Sequence, residues 1–113
     1  MDELVRMSAT SAVAALKAGA VKASELVEAA ARRIEAVEPK LNALPILDLD
    51  RARDAAKRRE DRGVRPSDHP ADLAGLPIAI KDLIDVQGLP TTYGCPLFKD
   101  NIATTSDPLV TLL

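Results

Sequence analysis

The sequence predicts an α/β chain in which helices come first and a core strand follows. Three observations carry this expectation. Apolar residues recur at helical spacing, between capping residues, through the first 62 positions. A short apolar run, Leu76-Pro77-Ile78-Ala79-Ile80, then follows Gly75, and its length and β-branched content read as a strand buried on both faces. Beyond it, Gly88-Leu89-Pro90, Thr91-Thr92 and Gly94-Cys95-Pro96 form a loop of turn residues. The predicted organisation is therefore 1–62 mainly helical, and 63–113 loop, core strand, loop and the start of a helix.

Taken in order, residues 2–18 read as one short helix or two. Leu4, Val5, Ala9, Ala12, Val13 and Leu16 share a face, Ser8 or Thr10 can cap the second part, and Gly19 is a stop. The next helix has Ser24 as its expected N-cap, an apolar face of Leu26, Val27, Ala30, Ile34 and Val37, and Pro39 as its end. Glu25 and Glu28 near its start, with Arg32 and Arg33 near its end, suit the helix dipole. Leu41–Leu47 reads as a short extended segment, and its interior Pro45 marks it as an edge or irregular strand. Asp48 or Asp50 opens a third helix through about Arg62, with Ala52, Ala55 and Ala56 facing inward. Its arginines are interleaved with Asp54, Glu60 and Asp61, which describes a solvated face of mixed charge.

GVRPSDHPAD, residues 63–72, is a loop by composition. It holds the single histidine, His69, read as a surface residue because no serine motif accompanies it. After the strand and its loop, Ser106 or Asp107 caps a last helix, with Pro108 in its first turn and Leu109, Val110, Leu112 and Leu113 as its start. An apolar helix that begins beside Leu113 with no end signal reads as a truncated chain.

Composition excludes several classes. Hydrophobic residues make up 47% of the chain, as expected of a globular protein and not of a disordered one. Aromatics are only 2%, so any core must be built from Ala, Leu, Ile and Val, which is thin for a self-standing domain. Fifteen basic against 17 acidic residues leave no basic surplus for phosphates, and direct nucleic-acid binding is not expected. One cysteine, Cys95, excludes an internal disulfide, and neither it nor His69 belongs to a metal-ligand cluster. MDELVRMSAT has no long apolar core, and no membrane span is predicted. A cytoplasmic, reducing setting without a cofactor is the expectation.

The candidate catalytic residue is Lys81, delivered by the end of the predicted strand. Burial disfavours the charged form of an ammonium, and a neutral amine is a base. Ile78, Ile80, Leu83 and Ile84 are the neighbours in sequence that would keep it dry. Judged by local pattern alone, a lysine ending a strand is more often a snorkelling or salt-bridged residue. Asp82 and Asp85 offer paired carboxylates for acid–base work; three residues apart, they fit better as groups that cap turns or accept loop amides. Asp82 pairing with Lys81 would keep the lysine charged.

The stretch around Lys81 resembles the amidase signature family of serine amidohydrolases. The matching residues are Gly75-Leu76-Pro77-Ile78-Ala79-Ile80-Lys81-Asp82, Asp85-Val86, Gly88-Leu89-Pro90-Thr91-Thr92 and Gly94. A weaker likeness runs from the N-terminal helices to Ser106-Asp107-Pro108-Leu109-Val110. The resemblance implies a mixed β-sheet sandwiched between helices. It also implies a triad of a serine, a second serine on a cis peptide, and a lysine at the position of Lys81. No histidine takes part. The two serines belong to a glycine- and serine-rich segment that does not occur among these residues. Thr91, Thr92 and Gly94 then shape the loop near the site. Cys95 stands where many relatives have serine and reads as a small, semi-buried loop residue.

By this resemblance the chain is the N-terminal segment of a larger amidase domain acting on small carboxylic amides, with homo-oligomers open to the full-length protein. The catalytic chain of a glutamine-hydrolysing amidotransferase (its A-subunit) is the second expectation. A third, of another class, is a non-catalytic remnant or interaction module. The 113 residues alone are expected to lack turnover, and to associate through unpartnered apolar faces.

Overall fold

Ser8 sets the start of the first α-helix. Its hydroxyl accepts the Ser11 amide at 3.1 Å, filling one of the donor positions that a helix N-terminus leaves open, and α1 runs Ala9–Lys17. The computed structural model describes residues 3–113. A 3₁₀ turn, Glu3–Arg6, precedes α1; the part of the first helical reading that begins at Asp2 lies outside the described residues. Two long helices follow, α2 (Ala23–Leu41) and α3 (Leu49–Asp61), and a short one, α4 (Pro108–Leu112), comes late. The chain divides into two compact units, one ending at Pro77 and the other spanning Ile78–Leu113.

In the first unit, α2 packs against α3 and against the 3₁₀ turn. The core is a small aliphatic cluster: Ala12 and Leu16 of α1, Ala23, Leu26 and Val27 of α2, Ala56 of α3, and Ala74 from the loop that follows. Leu4, Met7, Val13, Val21, Ala52 and Leu76 pack around it. Alanine is frequent here because it lets helix backbones approach closely, while Leu16 and Leu26 supply the larger buried areas. Each of these leucines contributes on the order of 1.5–3 kcal/mol.

Polar contacts fix the surrounding chain. Asp48 caps α3 by accepting the Arg51 amide at 3.2 Å. Arg53 of α3 donates to both oxygens of Glu28 on α2, at 2.6 and 3.2 Å, and this pairing holds the Glu28 carboxyl below the usual range. The loop after α3 is organised by Asp72. Its carboxylate accepts the Ala74 amide at 2.8 Å and the Ser67 amide at 2.6 Å, with Arg59 at 3.7 Å. Those amides lower the Asp72 pKa, Ala74 contributing most. Lys17 donates to the His69 carbonyl at 2.9 Å, tying the same loop to the end of α1.

Several expectations are corrected. The N-cap of α2 is Lys22, not Ser24. Glu25 reaches back to accept the Lys22 amide at 2.8 Å, and Glu60 accepts the Ser24 amide at 2.9 Å, so the open donors are met by carboxylates from elsewhere. Pro39 does not end α2. Its fixed φ is compatible with a helix, and the chain continues to Leu41, stopping at Asn42 in the left-handed conformation with φ 48°. Ala55 is exposed, whereas Ala56 is buried.

Leu41–Leu47 is not a strand, and neither is Leu76–Ile80: among the described residues no strand forms. The predicted core strand has no regular structure: the Leu76 amide turns back to the Leu73 carbonyl at 2.9 Å, and Pro77 has no N–H to offer a neighbour. The described residues are mainly helical, and the mixed sheet that the resemblance implies is not formed among them.

The second unit is built of turns. Residues 88–91 lie antiparallel to 101–103: the Gly88 amide donates to the Ala103 carbonyl at 2.9 Å, the Ala103 amide to Leu89 at 3.0 Å, and the Thr91 amide to Asn101 at 2.9 Å. The pairing stays a single bridge, Pro90 to Ile102, whose two bonds are donated by Ala103 and Thr91, so the missing Pro90 N–H costs it nothing. A 3₁₀ turn, Pro96–Phe98, lets Phe98 meet Tyr93 edge to face with ring centroids 5.6 Å apart. Asp107 caps α4 by accepting the Leu109 amide at 2.8 Å.

Candidate active site

Lys81 stands at the start of a turn, not at the end of a paired strand. Its carbonyl accepts the Ile84 amide at 3.0 Å, closing a tight reversal directly after Leu76–Ile80. Its side chain is exposed. The four apolar neighbours do not enclose it: Ile78 and Leu83 are themselves exposed, and Ile80 and Ile84 are only partly covered.

The next residue carries most of the local order. The Asp82 carboxylate accepts the Thr92 amide at 2.7 Å and, on its other oxygen, the Thr92 hydroxyl. The Asp82 carbonyl accepts the Tyr93 amide at 3.1 Å. The Thr92 hydroxyl and amide, with the Gly94 amide, hold the Asp82 carboxyl below the ordinary aspartate range, and the charge of Lys81 adds the least. Asp82 thus spends its acceptor capacity on loop donors rather than on the adjacent ammonium. Asp85 acts through its backbone: its carbonyl accepts the Asp107 amide at 2.9 Å.

The loop that meets Asp82 turns sharply at Thr92–Cys95, closed by the Cys95 amide on the Thr92 carbonyl at 2.9 Å. Tyr93 and Gly94 occupy its two central positions with φ 53° and 67°, the pattern of a type I′ turn. The same geometry recurs in the first unit at Leu73–Leu76, where Ala74 and Gly75 have φ 57° and 95° and the Leu76 amide donates to the Leu73 carbonyl at 2.9 Å. Gly75 and Gly94, two glycines of the sequence motif, therefore sit at the second central position of these turns.

Thr91 is the fully buried residue that the sequence did not single out from its neighbour Thr92. Its amide and carbonyl are both bonded to Asn101, each at 2.9 Å, while its hydroxyl has no protein partner among the described residues. Cys95 is half-buried, and His69 lies exposed on its loop, with Nδ1 accepting the Ala71 amide at 3.1 Å. Among the described residues no three His, Cys, Asp or Glu side chains gather as a metal site would require. No helix among them is long and apolar enough to cross a membrane. Two shallow depressions, of about 140 and 380 Å³, are lined by residues of the first unit only and contain no residue of the motif around Lys81.

Comparison with known proteins gives the class. The family model described as Amidase matches residues 25–113, and the chain belongs to that family. It is 41% identical over 97 residues to the A-subunit of the Glutamyl-tRNA(Gln) amidotransferase of Anaeromyxobacter sp. (strain K), across 86% of this chain and 20% of that protein. Similarity to the Acylamidase of Rhodococcus erythropolis is 39% over 101 residues, across 87% of this chain and 20% of that protein. With the Indoleacetamide hydrolase of Bradyrhizobium diazoefficiens it is 38% over 103 residues, across 91% and 20%. The chain thus spans about a fifth of the length of the curated relatives it matches.

Proposed function

We propose that the full-length protein containing this chain hydrolyses carboxylic amides, and that Lys81 is the base of its triad. Neutral Lys81 takes the proton of a bridging serine, which in turn deprotonates a nucleophilic serine. That serine attacks the amide carbonyl, the C–N bond breaks, and the proton returns through the same relay to the leaving amine. Water then releases the acyl group from the serine. Both serines would be supplied from outside these 113 residues.

The observation that carries this reading is the disposition of Lys81 within the matched family region: its backbone is held by a turn, its side chain is free to be enclosed, and its neighbouring carboxylate is committed to Thr92. The desolvation that a neutral lysine needs would come from the remainder of the protein. A second reading, the A-subunit of a glutamine-hydrolysing amidotransferase, is favoured by the name of the relative that is 41% identical.

The test is ammonia release by the full-length protein from glutamine and from a panel of primary amides, namely propionamide, benzamide and indoleacetamide. Turnover of the panel supports the amidase, and turnover confined to glutamine supports the amidotransferase. Lys81→Met should lower kcat by at least about a hundredfold in either case. Full activity in Lys81→Met removes the lysine from the mechanism, and no turnover of any amide supports the non-catalytic alternative.

A further inference from the structure

We propose that Asp82 and Thr92 act together as a clamp that positions Lys81, with Asp82 a positioning residue and not an acid or base of the reaction. This rests on the reading of Lys81 as the proton-accepting amine.

The geometry is specific to the residue that follows the lysine. Asp82 is gripped at two separate groups by consecutive residues of one loop: its carboxylate by Thr92 and its carbonyl by Tyr93. The Lys81 carbonyl is held by the Ile84 amide, so the backbone is restrained at two successive carbonyls, those of Lys81 and Asp82. The loop that grips it is itself anchored. Thr91 is fully buried and doubly bonded to Asn101. The Thr92–Cys95 turn closes behind Thr92, and the Gly94 amide donates to the Thr92 hydroxyl at 3.3 Å. Release of this contact would leave the lysine backbone tethered only through its own short turn.

The clamp also has an electrostatic consequence. A carboxylate one residue from a catalytic amine would favour the ammonium and keep the base protonated. Here both carboxylate oxygens accept from Thr92, and Lys81 is the charged side chain that contributes to the Asp82 environment among the described residues. The Thr92 hydroxyl thus turns a charge that would oppose catalysis into a strut that supports it. Loss of the hydroxyl alone frees one oxygen to swing toward the amine, whereas loss of the charge alone removes the competitor but weakens the strut.

The experiment measures kcat, KM and the acid limb of kcat/KM against pH for the full-length protein, with the best of the primary amides above. The variants are Asp82→Asn, Thr92→Val and Thr92→Ser, with Lys81→Met as the reference. The first two should lower kcat at least about tenfold with KM changed less than about twofold, because the clamp touches the amine and not the substrate. Their acid limbs should move in opposite directions: to higher pH in Thr92→Val and to lower pH in Asp82→Asn. Thr92→Ser keeps the hydroxyl and should retain the wild-type limb. Wild-type kcat and limb in both Asp82→Asn and Thr92→Val overturn the clamp, as does a Thr92→Ser defect equal to that of Thr92→Val. If Asp82→Asn does not fold, the Thr92 pair still decides. An inactive Lys81→Met beside unaffected clamp variants sinks this inference alone, whereas an active Lys81→Met sinks the lysine reading on which it stands.

Discussion

Glu60, in the last turn of α3, accepts the backbone amide of Ser24 in the first turn of α2 at 2.9 Å. One helix thereby satisfies an open N-terminal donor of another, and the negative charge lies at the positive end of α2. The Ser24 amide is the main reason the Glu60 carboxyl is held below its ordinary value.

Glu60→Ala should therefore destabilise the first unit by about 0.5–1 kcal/mol in urea unfolding at neutral pH, the low end of capping effects because Glu60 is exposed. The sign with pH follows from the direction of the shift. A carboxyl depressed in the folded state contributes stability that is complete above its unfolded value of about 4.3 and is lost as pH falls through the folded value. The gap between wild type and Glu60→Gln should thus be widest at pH 7 and shrink on acidification below about pH 4.3. A gap that widens in acid would contradict the arrangement.

This same contact marks where the sequence stopped being legible. Caps that depend on one residue and its own next turn, Ser8, Asp48 and Asp107, could each be narrowed to one of two neighbouring candidates. Ser24 was the natural cap by residue type, yet the donors at that terminus are met by Glu25 and by Glu60, thirty-six residues away from Ser24. The strand expected at Leu76–Ile80 failed for a related reason. A helix closes its hydrogen bonds within itself, but a strand exists only where another segment accepts and donates, and no such neighbour pairs with this run among the described residues. The dry setting expected for Lys81 depended on that strand. The hold of Thr92 on Asp82, the residue after Lys81, is a contact across ten residues of loop, which no local pattern encodes. The motif glycines were legible as turn residues, and the positive φ at Gly75 and Gly94 gives the reason.

Gly75 has no room for a side chain. With φ at 95°, a Cβ there would lie 3.0 Å from the Ala23 Cβ and 3.1 Å from the Arg59 Cδ. The arginine stem can move, at some cost to its contact with Asp72, but Ala23 is buried in the core at the start of α2 and cannot. Gly75→Ala should cost about 2–3 kcal/mol, combining backbone strain with the displaced packing. Gly19→Ala is the comparison: its φ is also positive, at 69°, but nothing lies within 4 Å of the added carbon, so only about 1 kcal/mol of strain is expected. Equal losses in the two variants would show that the contact with Ala23 carries no weight.

Thr91 tests the balance between a buried hydroxyl and a buried methyl. The side chain is fully buried, and its oxygen finds no protein partner among the described residues, while its backbone is held at both ends by Asn101. An unpaired buried hydroxyl costs about 1–3 kcal/mol in desolvation that no bond returns. Valine has nearly the same shape, keeps the γ-methyl, leaves both backbone bonds in place and removes that cost. Thr91→Val should hence be neutral or stabilise by up to about 1 kcal/mol, whereas Thr91→Ala, which also deletes the methyl, should destabilise by about 1 kcal/mol. Thermal or urea unfolding of the three proteins side by side gives the order Val at or above Thr, and Thr above Ala. A loss of more than about 1 kcal/mol in Thr91→Val would mean that the hydroxyl is bonded in the folded protein.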